Sequence, residues 1–162
     1  MRYVKVYVLL FGLFFSFSSC VPTPNTHTAE IEKKKALVST FIQLIEAKAF
    51  SRFGEIIADD YQQHNPMVKQ GLAGIQEGAS WFSSIFPDLS ASIDEVLVEG
   101  DLVVARITWT GTHSEELFGI PASGMKVSWT GTDWWRTRDD KFVEHWDVVD
   151  WSHLMNQIST EE

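Results

Sequence analysis

The sequence predicts an α+β domain, with helices gathered in its first half and packed on one face of an antiparallel sheet formed by its second half. Two observations carry this. Apolar residues recur at intervals of three and four between Ala29 and Phe86, whereas from Leu89 onward they alternate or run in β-branched stretches. Helices first and strands afterwards is the order of an α+β layer arrangement rather than of a parallel sheet with interleaved helices. At 162 residues the chain fits one such domain.

The first 20 residues stand apart. Arg2 and Lys5 are the only charges before Glu30, and Val6 to Phe17 forms an apolar run of 12 residues. That is too short to span a bilayer, which takes about 20 residues. With small residues at its end it reads as an export signal. The sole cysteine follows: Phe17-Ser18-Ser19-Cys20 resembles a lipobox, with Phe where Leu is usual. Cys20 is therefore the expected lipidation site of an exported, membrane-anchored lipoprotein, on the periplasmic side or at the cell surface. The plainer reading is an ordinary secretory signal containing a cysteine. One cysteine permits no internal disulfide, so the core alone must hold the fold. Residues 21–28, with two prolines and no apolar pattern, read as a tether, and 29–162 as the domain.

Within the domain, Leu37, Phe41, Leu44 and Ile45 mark a helix from Ala29 to about Phe50. Ser51 is placed to cap a second, short helix holding Phe53, Ile56 and Ile57. Tyr61-Gln-Gln-His64-Asn-Pro66 interrupts the pattern, since proline forces Asn65 into an extended conformation. A third helix spans Leu72 to Phe86 and stops before Pro87. Leu89–Glu99 and Leu102–Thr112 read as a hairpin around Gly100-Asp101, and Ser114–Gly124 as a loop. Lys126–Thr137 and Phe142–Asp150 form a second hairpin around Asp139-Asp140, followed by a short closing helix, Trp151–Ile158. Val103, Ile107 and Trp109 lie on one side of their strand and Leu102 and Val104 on the other, so both sheet faces need cover. A homodimer partner or the closing helix would supply it.

Charge narrows the function classes. The whole chain carries −9; without the signal, 11 basic residues face 22 acidic ones, a net −11. That argues against nucleic acid, whose phosphates call for a basic patch. No glycine-rich phosphate loop, no Gly-x-Ser-x-Gly elbow and no His-x-x-x-His pair occurs. The dispersed histidines 64, 113 and 145 speak against a metal site.

The chemistry concentrates in the last hairpin, where Asp133, His145 and Asp147 stand between tryptophans. The turn decides whether they converge. A two-residue turn over 139–140 would set Asp133 opposite Trp146, on the other face from Asp147. A type I turn with a bulge at Asp140 would pair 137 with 141 and gather Asp133, His145 and Asp147 on one face, beside Trp129 and Trp135. The bulge is the expected form.

Several stretches, in order, resemble the SnoaL-like polyketide cyclase and predicted ester cyclase family of the nuclear transport factor 2-like superfamily. They are Tyr61-x-x-His64-Asn-Pro66, Phe86-Pro-Asp-Leu89, Glu99-Gly-Asp-x-Val-Val-Ala-Arg106, Gly111-Thr-His113, Phe118-Gly-Ile-Pro121, Thr130-Gly-x-Asp133 and Val143-Glu-His-Trp-Asp-Val148. The resemblance implies a cone-shaped roll of helices on a curved sheet around an apolar pocket. It also implies aldol-type ring closure run by an aspartate without metal or organic cofactor. Where the family has Asp-Gly in the last turn, this chain has Asp139-Asp140.

On this reading Asp147 is the acid/base residue that takes a proton from a carbon beside a carbonyl, with a second donor polarising the carbonyl. Its plain alternative is an aspartate paired with Arg106 or Arg136. Asp133 matches a position near the family's active site, and His145 would orient Asp147 or carry its proton. Tyr61 and His64 are candidate ligand contacts at the pocket mouth, and His113 one on the loop. Trp129 and Trp135 are candidate pocket walls, although tryptophans are more often plain core. Two functions follow: cofactor-free cyclisation, isomerisation or hydrolysis of a small carbonyl compound, or non-catalytic holding of a hydrophobic ligand in the envelope. The first requires Asp147 inside the pocket and shielded from Arg and Lys. The second expects it tied into a salt bridge, or a pocket lined only by apolar side chains.

Overall fold

A computed structural model describes residues 26–159. The expected export signal, Cys20 and residues 21–25 of the expected tether lie outside the described residues. The first helix, α1 (Thr26–Glu46), begins three residues earlier than the sequence pattern indicated. Its buried stripe, from Leu37 through Phe41 to Ile45, packs on the sheet. Phe41 meets Trp135 edge-on at 5.7 Å and Phe142 at 6.4 Å. All three rings are buried, and each such side chain stabilises the fold by roughly 1.5–3 kcal/mol.

A 3₁₀ turn (Phe50–Glu55) follows, and Ser51 does not cap it: the N-cap is Ala49, without a side-chain bond. Ile57 then leaves the helical path. Ile57–Gln63 is strand β1, where a helix end and an interruption had been expected. Its buried Ile57 and Tyr61 stand four residues apart on one face of the strand, with Asp59 between them exposed. That spacing imitates a helical stripe. The rest follows the expected order: α2 (Gly71–Ile85), β2 (Ser90–Glu99), β3 (Leu102–Thr112), β4 (Lys126–Arg138), β5 (Lys141–Val149) and α3 (Trp151–Ile158).

The five strands form one sheet in the order β1-β5-β4-β3-β2. Three neighbouring pairs are antiparallel; β1 joins the edge parallel to β5. Register shifts in three of the four ladders bend the sheet around the helices, as extra residues in a strand do.

The last hairpin resolves the question of faces by a route the sequence reading did not take. Its turn is the two-residue form, pairing Arg138 with Lys141, with Asp139 and Asp140 both left-handed at φ 50° and 61°. This is the type I′ pattern. The extra residue sits further along, at Val143: Thr137 pairs with Phe142 but Arg136 pairs with Glu144. That single insertion sets Asp133 opposite Asp147 and Trp135 opposite His145, all on the inner face.

Val103, Ala105, Ile107, Trp129 and Trp135 form the sheet side of the core. On the outer face Leu97, Trp134 and Val148 remain 61%, 44% and 71% exposed, so α3 does not cover it. Among the described residues no helix is long and apolar enough to cross a membrane.

Candidate functional site

A cavity of ≈ 150 Å³ opens between α2, the start of α3 and the inner sheet face. Ile75, Ala79, Phe82 and Trp109 give it an apolar wall, and Met67 and Trp81 stand partly exposed at its rim. Asp133, His145 and Asp147 line it together with Gln63 and Asn65. No lysine or arginine does. A larger cleft of ≈ 800 Å³ runs between the start of α1 and the hairpin tips. Exposed ion pairs such as Lys34–Glu30 border it, and it holds no comparable cluster of buried polar groups.

Each polar side chain of the smaller cavity is placed by backbone pairing. Gln63, at the end of β1, pairs in register with His145 of β5. His145 Nδ1 lies 3.1 Å from Gln63 Oε1, and its Nε2 lies 3.0 Å from Asp133 Oδ1. The ring is held between Trp135 at 5.3 Å and Tyr61 at 6.4 Å, both nearly parallel to it. The Asn65 backbone N–H donates to Gln63 Oε1 at 3.0 Å, which identifies that atom as the oxygen. His145 Nδ1 therefore carries the proton it shares with Gln63. Nε2 and Asp133 then share one further proton.

Asn65 is extended before Pro66, and its Oδ1 accepts from the Met67 N–H in an Asx turn. That turn aims its amide inward, where Nδ2 donates to Asp147 Oδ2 at 2.8 Å. Asp147 Oδ1 is buried and has no partner. Burial raises the Asp147 carboxyl above the usual range and Asp133 adds to the rise; the His145 ring and the Asn65 bond oppose it. No Arg or Lys is among the groups acting on it. Arg106 pairs with Asp94 and Arg136 with Asp101 and Glu144 instead.

The remaining candidates fall outside the cavity wall. Tyr61 lies behind His145, with its hydroxyl buried and unpartnered. Burial and the two aspartates push that hydroxyl well above the usual phenol range. His64 alternates to the outer face, where Nε2 meets Glu144 Oε1 at 2.8 Å and the ring stacks on Trp146 at 4.6 Å. His113 is fully buried at the loop base. Its Nδ1 accepts from the Ser123 N–H at 3.2 Å, and burial lowers its pKa. Trp135 and Trp129 are core: the first underlies His145, the second packs against Phe82 and Phe86.

Gln63 and Asn65 are the site residues that sequence reasoning passed over. Both lie inside the Tyr61–Pro66 stretch, and the alternation of one strand, with 63 and 65 inward and 64 outward, would have found them. Among the described residues no group of three or more His, Cys, Asp or Glu side chains is placed to hold a metal ion.

Residues 35–158 match the family model of the SnoaL-like polyketide cyclases. No curated protein matches the sequence. Among solved structures, TsrD from Streptomyces laurentii is 30% identical, with 79% of this chain and 96% of that one covered at a TM-score of 0.74. AclR from Streptomyces galilaeus is 28% identical, over 78% and 96% of the two chains, at 0.70. IdmH from Streptomyces antibioticus is 25% identical, over 78% and 99%, at 0.69. With the family model spanning most of the chain, and the fold and order of elements in agreement, the protein belongs to the SnoaL-like polyketide cyclase family.

Proposed function

We propose that the domain catalyses cofactor-free proton transfer on a small, largely apolar carbonyl compound, with Asp147 as the base. Aldol-type cyclisation is the leading reaction, and isomerisation or hydrolysis are the related ones. The observation that carries the reading is the state of Asp147. It lines the cavity with one oxygen held by Asn65 and the other free, and it has no cationic partner. A carboxylate whose proton affinity is raised by burial is a better base toward a carbon acid than a solvated one. A ligand-holding protein has no use for that arrangement and would be more stable with the charge paired.

In the proposed step Asp147 Oδ1 takes the proton from the carbon beside the carbonyl, and the C–H electron pair becomes the enolate double bond. In a cyclisation the enolate carbon then bonds to a second carbonyl carbon, whose oxygen accepts the proton from Asp147. The Asn65 amide, itself fixed by its turn, keeps Asp147 in place through both halves.

The test is α-deuterium uptake by 2-tetralone in D₂O, followed by proton NMR. Wild type is expected to accelerate it, with a rate that falls as acid protonates Asp147, and Asp147→Asn to lose the acceleration. Equal rates in the two proteins would leave only a container. The exposed Leu97, Trp134 and Val148 also support a homodimer joined through the outer face, which Val148→Glu is expected to dissociate in sedimentation. Membrane anchoring at Cys20 is checked by palmitate labelling of the wild type against Cys20→Ala.

A further inference from the structure

We infer that Gln63 is a second catalytic residue, its side-chain amide donating to the substrate's carbonyl oxygen while Asp147 takes the neighbouring proton. The inference rests on the proton-transfer reading above and supplies the donor that reading requires.

Gln63 is 3% exposed and lines the cavity beside Asp147. Its amide cannot turn over. Oε1 accepts from the Asn65 N–H at 3.0 Å and faces His145 Nδ1 at 3.1 Å, so a flipped amide would set its NH₂ against the Asn65 donor. Nε2 is thereby directed away from both, and it has no partner. The backbone is fixed as well. The Gln70 side chain accepts from the Gln63 N–H at 2.9 Å and donates to the Gln63 carbonyl, pairing with it as another strand would.

A buried amide hydrogen left unpaired costs about 1–3 kcal/mol, and native proteins seldom carry one without a reason. Of the buried side-chain atoms without partners, those on cavity-lining residues are Gln63 Nε2 and Asp147 Oδ1. One is a donor and the other an acceptor. Enolate formation calls for that combination: an acceptor for the departing proton and a donor where negative charge grows on oxygen. His145 is engaged at both nitrogens, and Asn65 Nδ2 donates to Asp147. With no Lys or Arg on the wall, the neutral and immobilised Gln63 amide is the buried donor left unpaired beside Asp147.

The experiment compares binding of 2-tetralone with that of tetralin, which lacks the oxygen, by fluorescence of the cavity tryptophans. Gln63→Glu keeps Oε1 for its two neighbours but replaces the donor; Gln63→Met removes the polar end altogether. Relative to wild type, the ketone-to-hydrocarbon affinity ratio is expected to fall about five- to ten-fold in both, the worth of one hydrogen bond. Asp147→Asn is expected to lose α-deuterium uptake while still binding the ketone more tightly than the hydrocarbon. A ratio unchanged in both Gln63 variants overturns the inference, whatever happens to the exchange. If exchange is absent from every protein while the ratio still falls, the base assignment fails and the carbonyl donor stands.

Discussion

Replacing Asp147 by asparagine is expected to make the protein more stable and inactive at once. In the wild type the carboxylate carries its charge half-buried, with one oxygen satisfied by Asn65 and the other by nothing. An amide in the same place still accepts from Asn65, and the exchange of a charge-assisted bond for a neutral one loses about 1 kcal/mol. Against this, full burial of an ion costs several kcal/mol, and exchanging a half-buried, unpaired charge for an unpaired neutral amide still regains roughly 2. The net gain is about 1 kcal/mol, or roughly 3–5 °C in melting temperature for a domain of this size. The pH dependence has a definite sign. Because burial raises the Asp147 carboxyl, the folded chain keeps its proton at a pH where the unfolded chain has released it. Stability therefore falls as pH rises from the unfolded value, about 3.9, through the raised folded value, and stays lower above it. Below the unfolded value both states are protonated and the gap between variant and wild type closes. Thermal melts of both proteins by near-ultraviolet circular dichroism, taken from about pH 3.5 to about pH 8, read this directly. A variant that melts lower than wild type at neutral pH, by a margin that acid does not change, would mark Asp147 as a paired structural carboxylate and refute the reasoning.

Three further substitutions probe the frame around the site. Tyr61→Phe removes a buried hydroxyl without a partner and should raise stability by about 1 kcal/mol in urea unfolding; a loss of that size would mean the hydroxyl is bonded in solution. Gly111→Ala should lower stability by about 1–3 kcal/mol, because the new methyl would lie 2.8 Å from Phe86 Cβ, and Phe86 is fully buried. An unchanged urea midpoint would show that the end of α2 can shift. Asp140→Gly relieves a left-handed aspartate but gives up the exposed pair with Lys33. A net gain of about 0.5 kcal/mol is expected, larger in high salt, where that pair is screened and worth less.

Much of this molecule is legible in its sequence, and the illegible parts share a physical cause. The helices α1 and α2 and the strands β2 to β5 announce themselves because a long run of one period leaves no competing reading. Strand β1 does not. Its buried Ile57 and Tyr61 are four residues apart, a spacing that shares one face in a strand and in a helix alike, and the exposed Asp59 between them hides the alternation. Gln63 and Asn65 were lost with it, since their inward direction follows only from knowing that the segment is a strand.

The last hairpin shows how a right conclusion can rest on a wrong local step. The sheet must bury Phe142 near the turn and also His145 further along, yet these are three residues apart and strict alternation would put them on opposite faces. One extra residue is therefore needed between them, wherever the turn begins. The sequence reading placed an extra residue in the turn, at Asp140, which would carry Phe142 to the outer face; the protein puts it at Val143 and keeps a tight type I′ turn. Both routes bring Asp133, His145 and Asp147 to one face, because side chains record only the parity of residues between them. The constraint that fixes the site is thus the joint burial of an apolar and a polar residue of the same strand, which puts the extra residue between them and requires the turn to keep its two-residue form.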